Sequence, residues 1–349
     1  MIPIFINKRE ISSTQPTYII AEMSANHHQS FEKAIKILEE AKMAGADAVK
    51  LQTYTPDTIT LDCDNEYFKI KDTIWKGATL YKLYKNAYTP WEWHPKLKKI
   101  ADTLKIDLFS TPFDASSVDF LETMNVPAYK IASFELIDIP LLKRVAATGK
   151  PIILSTGMAS LDEITDAVTA LKANKCRQIA LLKCTSAYPA LPEEANLKTI
   201  PHLCKTFKLP AGLSDHTIGS TVAIAAVALG ACIVEKHFCL DRNEPGPDTS
   251  FSMEPNEFKQ MVTDIRTTEK ALGKICYDLT ESQKESKGFR RSLFAVENIE
   301  KGETFTNKNI RSIRPSDGLP PKYLQTILGG KAKITIRKGT PLAWDMIVK

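Results

Sequence analysis

The chain has 349 residues, 43% of them hydrophobic and 25% charged, an ordinary globular balance with ample apolar material for a large core. Its 46 Lys and Arg against 41 Asp and Glu leave a formal charge of +5, dispersed with no basic run among aromatics. That balance speaks against a nucleic-acid partner and suits a small anionic substrate. The longest apolar stretch, 222–234, is interrupted by Gly230 and too short to span a bilayer, so no membrane partner is expected. The N-terminal MIPIFINKREISS has no long apolar run, and the seven cysteines form no CxxC pair; both fit reduced thiols in a cytoplasmic protein.

From residue 18 to about 275, short apolar runs alternate with amphipathic stretches, the pattern of parallel strands joined by crossover helices. Eight strands are predicted, over 18–22, 48–52, 107–110, 128–131, 151–155, 179–183, 211–214 and 232–237. After the first, Ala34, Ile37, Leu38 and Ala41 fall on one helix face that Ser30 is placed to cap. Near the end, Phe258, Met261, Val262 and Ile265 repeat that spacing. Eight such units predict an α/β fold, a closed (β/α)8 TIM barrel. An open doubly wound sheet is the alternative, and its GxGxxG fingerprint is missing. The connection 53–90 is long and aromatic, with Tyr54, Tyr67, Phe68, Trp75, Tyr81, Tyr84 and Tyr88, then Trp91 and Trp93. Leaving the C-terminal end of a strand, it lies over the catalytic face, either as a wall of the site or as a lid or oligomer contact.

Beyond about 288 the pattern changes to two related halves, each with a KG turn. Ile299-Glu-Lys-Gly-Glu-Thr-Phe305, followed by Ile310, lines up with Ile336-Arg-Lys-Gly-Thr-Pro-Leu342, followed by Ile347. The expected division is a barrel over 1–277, a polar linker over 278–288 and a small β-rich domain over 289–349.

In such a barrel the C-terminal strand ends face the active site. In chain order they present Glu22, then Asn26 and His27; Lys50 and Gln52, on one face; Ser110 and Thr111; Lys130, then Ser133; Ser155 and Thr156. Lys183 follows, with Thr185, Ser186 and Tyr188; then Ser214, Asp215 and His216; then Glu235 and His237. Three lysines among hydroxyls make an anion site, because a buried ammonium needs a negative partner. A phosphate with a carboxylate nearby would use them well. The alternative is that Glu22 and Glu235 serve as those partners. His216 and His237 end neighbouring strands, where two neutral imidazoles can share a divalent ion that polarises a carbonyl. Two hydrogen-bonded core histidines would leave the same spacing. Ser214-Asp215-His216 is no catalytic triad, since consecutive residues do not form a nucleophile–base–orienter chain.

Over nearly its whole length the sequence resembles the sialic acid synthase family. The likeness is carried by IIAEMSANH (19–27), AGADAVKLQTY (44–54), STPFD (110–114), KIASFE (130–135), LSTGMA (154–159), LKCTSAYP (182–189), GLSDHTIG (212–219), GACIVEKHF (230–238) and GPDTSFSMEP (246–255). RRSLFAVENIEKGE (290–303), IRSIRPSDGL (310–319) and IRKGTPL (336–342) resemble the family's antifreeze-like (SAF, β-clip) C-terminal domain. The resemblance implies a transferase that condenses phosphoenolpyruvate with an N-acetylated amino sugar, giving a nine-carbon α-keto acid and phosphate. It implies a divalent metal, manganese ahead of magnesium or cobalt, on His216 and His237. It maps phosphoenolpyruvate onto Lys50, Thr111, Lys130, Ser133, Ser155, Ser186 and Ser214, and the sugar onto Gln52, Tyr188, Asp248 and Glu22. Glu22 is then the proton-handling group. It also implies a homodimer, with Arg314 of the C-terminal domain reaching the partner's barrel.

KIASFE and the stretch 74–94 resemble the pseudaminic acid branch, which implies 2,4-diacetamido-2,4,6-trideoxy-L-altrose as the sugar. N-Acetylneuraminate or legionaminate synthesis is the alternative. One departure is Asn26-His27-His28-Gln29, where the family usually reads NHxG. Outside the family stand a Schiff-base aldolase using Lys130 or Lys183, and a non-catalytic carbohydrate-binding protein. The full set of strand-end polar groups argues against the latter.

Overall fold

The structure, a computed structural model, describes residues 2–71 and 76–348. It divides into two compact units, Met1–Gly273 and Lys274–Lys349. The first opens with a hairpin of β1 (Ile4–Ile6) and β2 (Arg9–Ile11). Eight parallel strands then close into a barrel: β3 (Tyr18–Glu22), β4 (Ala48–Thr53), β5 (Asp107–Pro112), β6 (Tyr129–Ile131), β7 (Ile152–Ser155), β8 (Ile179–Cys184), β9 (Ala211–Asp215) and β10 (Ile233–His237). Each pairs with its sequence neighbours, and β10 returns to β3 with His237 opposite Glu22. All eight expected strands form; the widest disagreement is at β5, which runs on to Pro112.

The strands read as apolar runs because both their faces are covered. Ile19, Val49 and Val234 pack outward against Ile37, Leu38 and Ala41 of the helix Phe31–Met43 and Phe258, Met261 and Ile265 of the helix Pro255–Leu272. Ser30 caps the first of these, its hydroxyl accepting from the Lys33 N–H. A Cβ at Gly212 would overlap the Ile233 carbonyl, so glycine there lets β9 and β10 approach.

The β1–β2 hairpin seals the N-terminal end of the barrel, away from the strand ends that carry the polar residues. Ile4, Ile6 and Ile11 are buried, Asn7 donates to Asp107 (2.6 Å), Arg9 pairs with Asp47, and the Phe5 N–H donates to Gln178 (2.9 Å).

In the second unit β11 (Ser292–Ala295) pairs with β12 (Ile310–Ile313), and β13 (Lys331–Ala332) with β14 (Ile347–Val348). Ala295 opposes Ile310 as Ala332 opposes Ile347, and Ile299 and Ile336 exchange two backbone hydrogen bonds of 2.8 Å. Phe305 and Leu342 occupy matching buried positions. The two sequence halves are thus the halves of a pseudo-twofold, each burying its apolar face on the other. A short helix, Glu281–Ser286, lies in the segment expected as a linker. Among the described residues no helix is long and apolar enough to cross a membrane.

Candidate active site at the strand ends

Inward-facing residues of β3, β4, β5, β6, β9 and β10 meet in one buried network. Lys50 Nζ lies 2.7 Å from Glu22 Oε2, 3.7 Å from Glu235 Oε1 and 3.3 Å from Thr111 Oγ1. Glu235 Oε1 also accepts from Lys130 Nζ at 3.2 Å and from the Ser214 hydroxyl at 3.1 Å. The internal acids do partner these two lysines, so the network is ordered before any ligand arrives. Burial raises the Glu235 carboxyl, but Lys130 and Lys50 more than offset it and hold the group ionised. Glu22 goes the other way: burial outweighs the attraction of Lys50, and its carboxyl rises to about 7. Burial likewise pulls Lys130 below its ordinary value, despite Glu235.

Beside this network Ser133 and Ser186 face each other across Gly157. The Gly157 N–H donates to Ser133 Oγ (3.1 Å), and a Cβ at Gly157 would overlap both hydroxyls. The two hydroxyls can approach that backbone because the residue has no side chain. Ser155, at the end of β7, keeps a buried hydroxyl without a hydrogen-bond partner.

His216 and His237 sit with ring centroids 5.3 Å apart. His216 Nδ1 is 2.8 Å from the Thr185 carbonyl, which can only accept, so Nδ1 carries the proton. Burial lowers the imidazole, but Cys184 and that carbonyl outweigh it and hold His216 above its ordinary value; its neutral form, the one that binds a metal, presents a bare Nε2. Burial and the neighbouring His216 push His237 well below the usual imidazole range, and its Nδ1 is buried without a partner. A neutral ring with an unsatisfied buried nitrogen, beside one held in a fixed tautomer, fits a divalent ion. Among the described residues no group of three or more His, Cys, Asp or Glu is arranged around a metal position. Two imidazoles would therefore leave most of the coordination shell to water or substrate. Outside the barrel, Asp215 and Lys236 each precede one of these histidines and form a buried pair at 2.7 Å across β9 and β10.

Gln52 bridges the lysine network to a second group. Its amide donates to Glu22 Oε1 (2.9 Å) and Ser24 Oγ (3.0 Å), and the Ser24 hydroxyl donates to Asp248. Tyr188 packs 4.4 Å from the His216 ring and 5.3 Å from Phe251. Arg314 is exposed and belongs to the C-terminal unit, just beyond β12.

Lys183 does not join the network of Lys50 and Lys130. Alternation on β8 sends Cys184 inward, towards His216 and Ser186, and so turns Lys183 to the other face. The Lys183 ammonium donates to the Cys184 carbonyl (2.7 Å) and to Thr185 (3.3 Å). Cys184 escaped the sequence reading. Burial raises its thiol, but His216 overrides this and brings it down to about 7. Glu135 also escaped: it follows Ser133, and burial pushes its carboxyl up to about 7. The aromatic connection divides in two. Tyr54 packs on Tyr84 (5.5 Å) and Phe113 (5.1 Å) on the site side, whereas Trp91 stacks on Phe120 and Trp93 packs on His27 and Phe31. Trp75 lies outside the described residues.

Residues 37–277 match the NeuB family model, and residues 290–348 match the SAF domain. The chain belongs to the NeuB family. Its similarity reaches over almost the whole length of named NeuB relatives. It is 45% identical to the pseudaminic acid synthase of Helicobacter pylori, covering 95% of this chain and 98% of that one. To the N,N'-diacetyllegionaminic acid synthase of Legionella pneumophila the identity is 35%, with 96% of each covered. Among solved structures, the N-acetylneuraminic acid synthetase of Leptospira borgpetersenii in complex with citrate superimposes with a TM-score of 0.73 at 33% identity, covering 82% of this chain and 95% of that one. The NeuB and SAF matches fall on the barrel and on the pseudo-twofold unit respectively.

Proposed function

We propose that the chain is a pseudaminic acid synthase: a transferase that joins phosphoenolpyruvate to 2,4-diacetamido-2,4,6-trideoxy-L-altrose and releases phosphate. The observation that carries the reaction is the meeting of Lys50, Lys130 and five hydroxyls with a paired His216 and His237 at one barrel end. The choice of sugar is supported by the 45% identity to the Helicobacter pylori enzyme.

Phosphoenolpyruvate carries a phosphate and a carboxylate. Lys50 and Lys130 supply charge for them, and Thr111, Ser133, Ser155, Ser186 and Ser214 supply donors. Gln52, Tyr188 and Asp248 hold the open-chain sugar with its aldehyde towards C3 of the enol, so the chain's main contribution is positioning. A new bond forms between C3 and the aldehyde carbon, water adds at C2, and the tetrahedral intermediate loses phosphate by C–O cleavage. His216 and His237 would hold a divalent ion, manganese by preference, and the chemistry it would supply there is Lewis-acid polarisation of the aldehyde. Glu22, protonated near neutrality, donates its proton to the oxygen of that aldehyde as it becomes a hydroxyl. The reading includes a homodimer in which Arg314 completes the partner's site. It also includes a cytoplasmic setting, which suits seven free cysteines.

Phosphoenolpyruvate and manganese offered with each candidate sugar, read by phosphate release, test the assignment. Preference for the diacetamido sugar is expected; a strong preference for N-acetylmannosamine would overturn the branch and keep the family. Borohydride capture of a pyruvate adduct on Lys130 would favour the aldolase instead. Gly157→Ala is expected to raise the KM for phosphoenolpyruvate at least roughly tenfold, because its methyl displaces two hydroxyls that bond a charged ligand. Steady-state kinetics check this; an unchanged KM would move the anion away from Ser133 and Ser186.

A further inference from the structure

The turn after β3 ties together two loops that flank the sugar side of the site. Asn26 donates to the Phe238 carbonyl and to Ser252, both at 2.9 Å, and His28 lies 3.4 Å from Glu244, which also pairs with Lys33. Those contacts hold the stretch 238–252 that carries Asp248. On the other side the turn grips the aromatic connection. The Gln29 N–H donates to His27 Nδ1 (3.1 Å), which leaves His27 Nε2–H to donate to Thr89 (3.1 Å). The Gln29 side-chain amide donates to the carbonyls of Asn86 (3.2 Å) and Tyr88 (2.6 Å).

These two carbonyls lie at and just past the last turn of the helix Leu80–Ala87, where a helix has no acceptor-satisfying N–H groups of its own. That helix carries Tyr84, which packs edge-on against Tyr54. Burial and the nearby Asp248 carboxylate raise the Tyr54 phenol, and Glu135 acts in the same direction on Tyr84. Helix, tyrosine pair and acids therefore form one wall. Gln29 reaches it from a left-handed backbone, φ 55°, a region that glycine enters freely and glutamine does not. A side chain held at that cost, with both amide hydrogens used on one helix end, has a task that glycine could not do.

We propose that Gln29 is a positioning residue that fixes the helix Leu80–Ala87, and with it the Tyr54–Tyr84 wall of the sugar site. The inference rests on the reading of that wall as the sugar side of a synthase. Gln29→Gly relaxes the backbone while deleting both donors, and Gln29→Glu keeps the shape but can only accept. In the manganese-loaded protein, Gln29→Gly is expected to keep or raise Tm and to speed amide hydrogen exchange in 80–93. It is also expected to raise KM for the diacetamido sugar roughly three- to tenfold, the worth of two exposed hydrogen bonds. The KM for phosphoenolpyruvate and kcat stay as they are. Gln29→Glu is expected to show the same pattern more strongly. Unchanged exchange in 80–93, or an equal rise in both KM values, would overturn the proposal. Exchange is measured without substrate, so it decides the clamp even if the wild-type protein proves inert towards every sugar, an outcome that would sink the functional reading alone.

Discussion

His237→Leu is expected to lose turnover on the order of a thousandfold while the protein folds as well as the wild type or slightly better. The first half follows from removing one of two imidazoles that would hold the polarising ion, comparable to losing an electrostatic donor at the reacting carbonyl. The second half follows from His237 itself. It is buried, held neutral, and its Nδ1 has no partner, so an apolar replacement removes an unsatisfied group. His216→Leu is expected to behave differently on stability. It would strand the Thr185 carbonyl and the Cys184 thiol that His216 now contacts, and so lower Tm. Phosphate release, Tm and manganese binding by electron paramagnetic resonance check all three statements. A His237→Leu protein that kept wild-type manganese affinity and activity would return both histidines to the role of core residues.

The barrel was legible because buried parallel strands write themselves as apolar runs, and because a period of two separates inward from outward residues. Lys50 with Gln52 and Glu235 with His237 are pairs that alternation alone puts on one face. The same rule turns Lys236 outward, where it meets Asp215. At β8 the rule was available but its phase was not: in Leu-Leu-Lys-Cys the charge drew the reading inward, whereas contact with His216 shows that Cys184 is the inward residue. Lysines at strand ends suggested an anion site, with Glu22 and Glu235 as the alternative partners; the structure sets both acids against Lys50 and Glu235 against Lys130, contacts that sequence spacing cannot fix across six strands. The hairpin at the N-terminal end went unseen because three-residue strands are too short to display a period. Glu135 and Gln29 sit on turns, where neighbours are set by tertiary packing. In the C-terminal unit the opposite holds: a repeat in sequence became a repeat in space, since neither half can bury its apolar face without the other.

Glu22→Gln is expected to lower kcat by roughly a hundred- to a thousandfold, the usual scale for losing a positioned proton donor. The pH dependence separates this role from binding. In the wild type the carboxyl titrates at about 7 against an ordinary 4.5, raised by burial over the opposing attraction of Lys50. As a donor Glu22 acts in its protonated form, so activity is full below that value and falls as pH rises through about 7. Glu22→Gln is expected to erase that limb, leaving a low rate that no longer depends on pH in this range. Stability follows the same sign. A carboxyl whose folded value is raised favours the folded state below its unfolded value, and that contribution is lost as pH climbs from about 4.5 through about 7. The Tm of the wild type should therefore fall across this window more than that of Glu22→Gln. Lys50 keeps Glu235 as a partner in the variant, so the ammonium is not left alone and the comparison reports on Glu22. A variant with an intact alkaline limb would place the proton elsewhere, and Glu135, likewise raised to about 7 by burial and within the influence of Lys130, would be the next group to replace.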